Sequence, residues 1–262
     1  MGNFKLDANQ IGNHKILIQE IQVFSNYLVH EFGSIGKHNF NITISNNSNK
    51  LPANFPSWAT GIAINNSIFI DNKKIHNNIH LLKVLRHEIC HLYQNKIKNS
   101  YSFPSWFKEG MAMALAKEFS IDSRYLVSRA LWIHCLLDLN ELDHFSKLNE
   151  AEINLAYEQS LIAYEKIIKL FKKEAIQSIF FKMNNENLTF DSAFLKVCNI
   201  NIDNFQNQYN NELNKFWAVI FNRSNFWFLI ATVLLFIIFI SVKLRNKKII
   251  QRWEREELNE LE

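Results

Sequence analysis

The fold is decided by the stretch Arg86-His87-Glu88-Ile89-Cys90-His91, which places two histidines four residues apart with a glutamate beside the first. On a helix, residues i and i+4 project from one face, so both imidazoles can bind one divalent ion, most often zinc. Glu88 would lie beside that ion and could accept a proton from a bound water. Apolar residues recur at helical spacing across the motif and predict a helix over residues 78–98. The alternative is a buried helix that carries two surface histidines and a surface glutamate.

A third metal ligand must come from elsewhere, because a catalytic zinc site uses three protein ligands and keeps one position for water or substrate. The best candidate is Glu109, in the segment Pro104-Ser105-Trp106-Phe107-Lys108-Glu109-Gly110-Met111-Ala112. Ser105 is a candidate N-cap for a second helix that extends to about Phe119. A short turn would let this helix fold back, so that Glu109 faces the two histidines.

Composition limits the class of protein. The chain has 262 residues, of which 48% are hydrophobic and 22 are Phe, and this content excludes a disordered protein. The net charge is +4, and the basic residues are spread along the chain apart from one C-terminal cluster, so no nucleic-acid surface is indicated. Three cysteines without paired spacing are not a disulfide framework. Cys90 is predicted to be a small core residue. The sequence does not decide whether Cys135 and Cys198 form a disulfide bond.

The region before the histidine motif predicts one helix and a small sheet. His14 to Phe32 has an amphipathic pattern, and residues 40–45 alternate as a half-buried strand does. Residues 59–64 and 67–70 predict two short strands in a hairpin around Asn65-Asn66. A strand directly before the helix that carries the two histidines can form the sheet edge that holds a peptide in extended form. Substrate contacts are therefore expected at Gly61, Ile62 and Ala63; the alternative is that the strands only complete the sheet.

The region after Glu109 is mostly helical. We predict helices at 122–138, 151–183, 190–198 and 202–217. The expected fold class is α+β. One domain over residues 1–220 would contain a small mixed β-sheet and the H-E-x-x-H helix to about residue 119, then a helical subdomain over 120–220.

The C-terminal region predicts a membrane anchor. Residues 226–242 carry no charge and form a segment just long enough to span a bilayer. Aromatic residues lie at its N-terminal end. Basic residues follow the span more densely than they precede it, which predicts a cytoplasmic tail at 243–262 and an extracytoplasmic domain. Residues 1–12 carry no apolar segment typical of a signal peptide. Two explanations stay open: the signal precedes the given start, or the domain is cytosolic and the charge rule fails.

Three segments carry a resemblance to a known family: Leu85 to His91, Pro104 to Ala112, and Ala156-Tyr157-Glu158-Gln159-Ser160. Together with the strand–strand–helix arrangement before them, they resemble the peptidase-MA-like gluzincins, a group of thermolysin-related zinc metallopeptidases. The resemblance covers about residues 40–215. H-E-x-x-H is moderately specific alone, and the W-x-x-E-G-x-A segment at this distance makes the combination strong.

The resemblance implies roles for particular residues. His87, His91 and Glu109 would be the zinc ligands and Glu88 the general base. Related enzymes donate a hydrogen bond to the oxyanion from a downstream Tyr or His, and Tyr157 is the candidate here, with Tyr164 second; either ring could instead pack between helices. The best-known gluzincins also carry Asp four residues after the ligand Glu, to orient a histidine. This chain has Met113 there, so the partners of its histidines are not identified by sequence.

The expected function is a membrane-anchored zinc metallopeptidase that acts on a peptide or protein substrate. Two other classes stay open: a catalytically inactive gluzincin-like binding or scaffold protein in the membrane, and a membrane interaction protein whose H-E-x-x-H arose by chance. Intact Glu88 gives no indication of lost activity. Zinc content and peptide turnover would distinguish the three classes.

Overall fold

The computed structural model describes residues 4–7, 14–118, 126–127, 129–131, 133, 135–139, 141–142, 148–213 and 223–260. Clustering of contacts divides the chain into two compact units, residues 1–214 and 215–262. The first unit contains a small sheet followed by helices, and the second contains one long helix. This architecture confirms the predicted α+β class.

The sheet has four strands: β1 (Phe4–Asp7), β2 (Phe40–Ser45), β3 (Gly61–Ile64) and β4 (Ser67–Asp71). Their order is β1-β2-β4-β3; β2 is parallel to β1 and β4, and β3 is antiparallel to β4. The predicted strand at 40–45 and the hairpin are confirmed, and Asn65 has the positive φ of 54° that such tight turns use. Sequence did not indicate β1, because its four half-exposed residues are too few for a clear alternation.

Seven helices of the first unit have defined bounds. They are α1 (His14–Phe32), α2 (Asn78–Gln94), α3 (Ser105–Ala116), α4 (Glu150–Phe171), α5 (Lys173–Glu186), α6 (Phe190–Cys198) and α7 (Ile202–Leu213). The predictions for α1 and α6 match these bounds. The α2 helix ends at Gln94, four residues earlier than predicted.

Two predictions about helix ends are wrong. Ser105 is not the N-cap of α3: Pro104 holds that position and Ser105 is the first helical residue, which suits a proline whose missing N–H is not needed there. Residues 151–183 do not form one helix, because Lys172 has φ 67° and ψ 170° and separates α4 from α5. The apolar pattern continues on both sides of this residue, so periodicity alone could not find the break.

Part of the predicted helix 122–138 lies outside the described residues, including Asp122, and so does Phe119. Of the described residues, 126–127 and 129–131 are helical and 135–138 are not. All three cysteines are free: Cys90 and Cys198 are buried, as predicted for Cys90, and Cys135 is exposed.

The core joins the sheet to the helices and contains much of the unusual Phe content. Phe107 on α3 is fully buried, and its ring centroid lies 4.6 Å from that of Phe190 and 5.5 Å from that of Phe103. Aromatic pairs at such separations add stabilisation beyond the burial of their area. This cluster anchors α3, and therefore Glu109, on the rest of the unit.

The α3 and α4 helices approach each other closely at Gly110. A Cβ atom at this position would lie 2.1 Å from the backbone oxygen of Ser160 and 2.9 Å from Cβ of Tyr164. Only a residue without a side chain permits this separation. The glycine directly after Glu109 therefore lets α4, with Tyr157 on it, lie against the helix that carries Glu109.

The second unit contains α8 (Arg223–Glu260). Its segment Trp227–Arg252 has a mean hydropathy of 2.5 over the most apolar window, and none of that window is buried. At 1.5 Å per residue, its 26 residues extend about 39 Å, more than the roughly 30 Å of a bilayer's hydrocarbon core. Among the described residues, α8 is the one helix long and apolar enough to cross a membrane.

Candidate metal centre

The α2 helix places His87 and His91 on one face, one turn apart. Asn77 caps this helix by accepting a hydrogen bond from the backbone N–H of His80 at 2.9 Å. The two imidazole centroids lie 4.7 Å apart and the ring planes are 72° apart. Their Nε2 atoms approach to 3.0 Å, so both rings direct the same nitrogen to one point.

Glu109 on α3 reaches the same point. Its Oε2 atom lies 3.3 Å from Nε2 of His87 and 3.3 Å from Nε2 of His91. The second helix therefore folds back against the first, and the structure brings together the three residues that sequence proposed as metal ligands.

The hydrogen-bond partners of the two Nδ1 atoms determine which tautomer each imidazole adopts. Nδ1 of His87 lies 2.9 Å from Oε2 of Glu118, and Nδ1 of His91 lies 3.0 Å from Oε1 of Gln94. The Gln94 amide is oriented because its Nε2 donates to the Lys108 carbonyl at 3.1 Å. Both partners present acceptor oxygens, so each Nδ1 carries a proton and donates it. The Nε2 lone pairs of neutral imidazoles then point at the common centre.

This donor set fits a zinc ion. Zinc bonds nitrogen and oxygen at about 2.0–2.2 Å, so two ligand atoms at tetrahedral angles are about 3.3 Å apart. The observed separations are 3.0, 3.3 and 3.3 Å. Lone pairs that converge this closely need positive charge between them, either protons on the imidazoles or a bound metal ion. Two imidazoles, one carboxylate and one open position are the ligand set of a catalytic zinc site.

The charges around the centre also favour a cation. Desolvation opposes protonation of His87, but the carboxylates of Glu118 and Glu109 outweigh it and raise the pKa of this imidazole well above its usual value. The neighbouring His91 and His87 lower the pKa of Glu109 despite the opposing effect of burial. Without a metal ion, these carboxylates favour protonated, positively charged histidines.

Glu88 lies beside this centre, 6% exposed. Desolvation raises the pKa of its carboxyl, while His87 and His91 oppose the rise. The edge strand β3 lies directly against it: a Cβ atom on Gly61 would be 3.0 Å from both Cγ and Oε1 of Glu88. A carboxylate with a raised pKa next to a metal position is suited to accept a proton at neutral pH.

The three predicted substrate residues lie on β3 and are all half-buried. They pair with β4 on one side, Gly61 with Ile70, Ile62 with Phe69 and Ala63 with Ile68. The sheet order places β3 at the edge. The structure therefore places Gly61 next to Glu88 and all three residues on an edge strand.

Tyr157 on α4 lies close enough to the centre to be affected by its charges. Burial raises the pKa of its phenol, and the carboxylates of Glu109, Glu88 and Glu118 raise it further. Tyr164 is different: it is 3% exposed, and its ring packs edge-on against Phe107 with the centroids 5.8 Å apart. Of the two tyrosines that sequence proposed, Tyr157 is the one affected by the carboxylates of the candidate centre, and Tyr164 packs in the core.

Trp58 is a residue near the centre that sequence did not indicate. Its ring is 43% exposed and lies 6.3 Å from that of Tyr157. Lys74 holds the loop on both sides of it, because its ammonium donates to the carbonyls of Ser57 and Ala59. Trp58 is therefore an exposed apolar ring on a restrained loop beside Tyr157.

Sequence also missed Glu118 and Gln94. Gln94 follows His91 by three residues on α2, so helical spacing could have indicated it. Glu118 follows Glu109 by nine residues and lies beyond the end of α3, where no periodic signal applies. The turn at Lys117, with φ 57°, directs it back to His87, and a lysine does not predict such a turn as a glycine would.

The comparison with protein families finds one match. A family model described as Peptidase MA superfamily matches residues 26–215, which is more than half of the chain. The matched range includes α2, α3 and α4 and every residue of the centre described above. No curated protein and no solved structure matches the chain.

Proposed function

Because the chain belongs to the peptidase MA superfamily, we propose that it is a membrane-anchored, zinc-dependent metallopeptidase of the gluzincin type that hydrolyses peptide bonds. One observation carries this proposal: Nε2 of His87, Nε2 of His91 and Oε2 of Glu109 converge within 3.3 Å of one another, with Glu88 beside them. Metal dependence is typical of this superfamily, and the donor set is the one that zinc prefers.

Each residue of the centre has a role in this proposal. His87, His91 and Glu109 would hold the ion, which when bound would supply Lewis acidity and lower the pKa of a water molecule toward neutrality. Glu88 accepts the proton of the attacking water and passes it to the leaving amine. The Tyr157 hydroxyl donates a hydrogen bond to the oxygen on which negative charge develops. That tyrosine must stay protonated for this role, and its raised pKa keeps it so.

The substrate is proposed to bind along β3. An extended peptide can add to this edge through backbone hydrogen bonds, which position it without regard to its side chains. The peptide would then run past Gly61, whose missing side chain leaves space for Glu88. Ile62 and Ala63 continue the same strand. Side-chain preference would come from the surfaces around this strand, including Trp58.

Membrane attachment through α8 is the remaining part of the proposal. None of the most apolar window of Trp227–Arg252 is buried, as a lipid-facing helix requires when no other protein covers it. The excess of basic residues after the predicted span at 226–242 favours a cytoplasmic C-terminus and an extracytoplasmic catalytic domain. Cysteine labelling of residues introduced before and after the span, in intact cells, tests this orientation.

The decisive experiment compares the wild-type chain with Glu88→Gln and His91→Ala, each purified in detergent at full length. The wild type should bind one zinc per chain, cleave an unstructured protein such as casein, and lose activity when a chelator removes the metal. Glu88→Gln should keep the metal and lose cleavage, because an amide cannot accept the proton. His91→Ala should lose the metal.

Glu186→Gln is the matched control, since Glu186 lies on α5 in exposed ion pairs with Lys182 and Lys196. It should keep both zinc and activity. Full activity in Glu88→Gln would refute the assigned base. Zinc without turnover in the wild type would instead support an inactive binding or scaffold protein.

A further inference from the structure

We infer that Glu118 is the residue that orients His87 for metal binding, in place of the Asp that the best-known gluzincins carry four residues after the ligand Glu. This inference rests on the proposed function, because it assigns a positioning role in the zinc centre. It names the partner that the sequence left open.

The first observation is the contact itself. Oε2 of Glu118 lies 2.9 Å from Nδ1 of His87, on the side of the ring opposite Glu109. Nε2 of the same ring is directed at the metal position. One carboxylate therefore fixes both the rotation of the imidazole and the nitrogen that carries its proton.

The second observation is how the chain brings Glu118 there. The α3 helix ends at Ala116, and Lys117 takes a left-handed conformation with φ 57°. The backbone N–H of Glu118 then donates to the carbonyl of Met113 at 3.0 Å. This pattern ends many helices and turns the next residue back over the last turn. The helix that supplies Glu109 thus supplies a second carboxylate through its own C-terminal turn.

The third observation excludes the position that family resemblance suggested. Met113 is 6% exposed and belongs to the buried hydrophobic residues of the unit. Its thioether is only a weak hydrogen-bond acceptor and carries no charge. By contrast, the Glu118 side chain carries a carboxylate, is 23% exposed, and contacts Nδ1 of His87.

The two histidines are held differently. His91 donates to the neutral amide of Gln94, which is fully buried, whereas His87 donates to a carboxylate. A carboxylate partner makes an imidazole a stronger electron donor than a neutral amide does. The structure therefore assigns His87 as the ligand whose basicity depends on a charged partner.

The test measures zinc affinity by competition with a chromophoric chelator, using the full-length chain in detergent. Glu118→Ala should weaken zinc binding by about 10- to 100-fold, the usual cost of losing such a partner. Glu118→Gln has the same shape and keeps an acceptor oxygen but not the charge, so it should fall between Glu118→Ala and the wild type. Glu186→Gln should bind zinc as the wild type does.

A second readout replaces zinc with Co²⁺, whose visible spectrum reports the ligand field. Glu118→Ala should shift the Co²⁺ bands, whereas Glu186→Gln should leave them unchanged. If both Glu118 variants bind zinc with wild-type affinity and give wild-type Co²⁺ spectra, the assignment is overturned while the proposed function stands. If the wild-type chain binds no zinc, the proposed function fails and this assignment fails with it.

Discussion

Replacing Gly110 by alanine tests whether the close approach of α3 and α4 holds the centre together. The added Cβ would lie 2.1 Å from the backbone oxygen of Ser160, about 1.3 Å closer than an ordinary contact at 3.4 Å. The obstacle is a backbone atom in the middle of a helix, so no side-chain rotation relieves it. The two helices must separate.

The magnitude follows from two opposing effects. Overpacking a core costs about 1–3 kcal/mol, and a backbone obstacle places this case near 3 kcal/mol. Alanine returns about 1 kcal/mol through its better helix propensity. The free energy of unfolding should therefore fall by about 2 kcal/mol. For a domain of this size that corresponds to a melting temperature lower by about 4–8 °C.

The assay is thermal unfolding of the full-length chain in detergent, followed by tryptophan fluorescence, with peptide cleavage measured in parallel. Gly33→Ala is the matched control, since Gly33 has φ +98° and nothing within 4 Å of an added Cβ. It should cost about 1–2 kcal/mol through backbone strain alone and leave kcat unchanged, whereas Gly110→Ala should also lower kcat by moving Tyr157. A Gly110→Ala chain that melts at or above the wild-type temperature would refute the described packing of α3 on α4.

Other predictions follow from single contacts. Tyr157→Phe should lower kcat about 100-fold with little change in KM, measured by steady-state cleavage, because only the transition state needs the hydroxyl. Trp58→Ala should instead raise KM and leave zinc stoichiometry unchanged, because its exposed ring would contact substrate rather than metal. Asn149→Ala should cost about 1 kcal/mol in thermal unfolding, because it removes the reciprocal cap that Asn149 forms with Glu152 at the start of α4. A chain that ends before residue 223 should leave the membrane fraction on centrifugation, since α8 supplies the apolar span.

Local spacing made much of this protein predictable. Two histidines at i and i+4 share a helix face wherever that helix lies, so the candidate ligands on α2 needed no tertiary information. The glutamate-glycine pair of α3, the alternation of β2 and the charge-free run of α8 are equally local. Each of these features was predicted from backbone geometry that repeats every few residues. The described structure has that geometry at each of them.

Features that depend on chain reversals were not predictable in the same way. The break at Lys172 and the turn at Lys117 both need a positive φ at a lysine. A lysine in a sequence does not predict a positive φ, whereas a glycine would. A single misjudged turn changes which distant residues meet. The partners of His87 and the position of Trp58 beside Tyr157 were therefore outside the reach of sequence patterns.

Local sequence patterns were enough to predict the composition of the centre: which side chains carry imidazole nitrogens and carboxylate oxygens, and which helix faces present them. Tertiary structure alone decided which carboxylate meets which histidine, and which of two tyrosines lies near the metal position. The reason is the distance along the chain over which each feature is set. Periodicity is set by hydrogen bonds four residues apart, whereas the contact between Glu118 and His87 joins residues 31 apart through two helices and the turns that follow them.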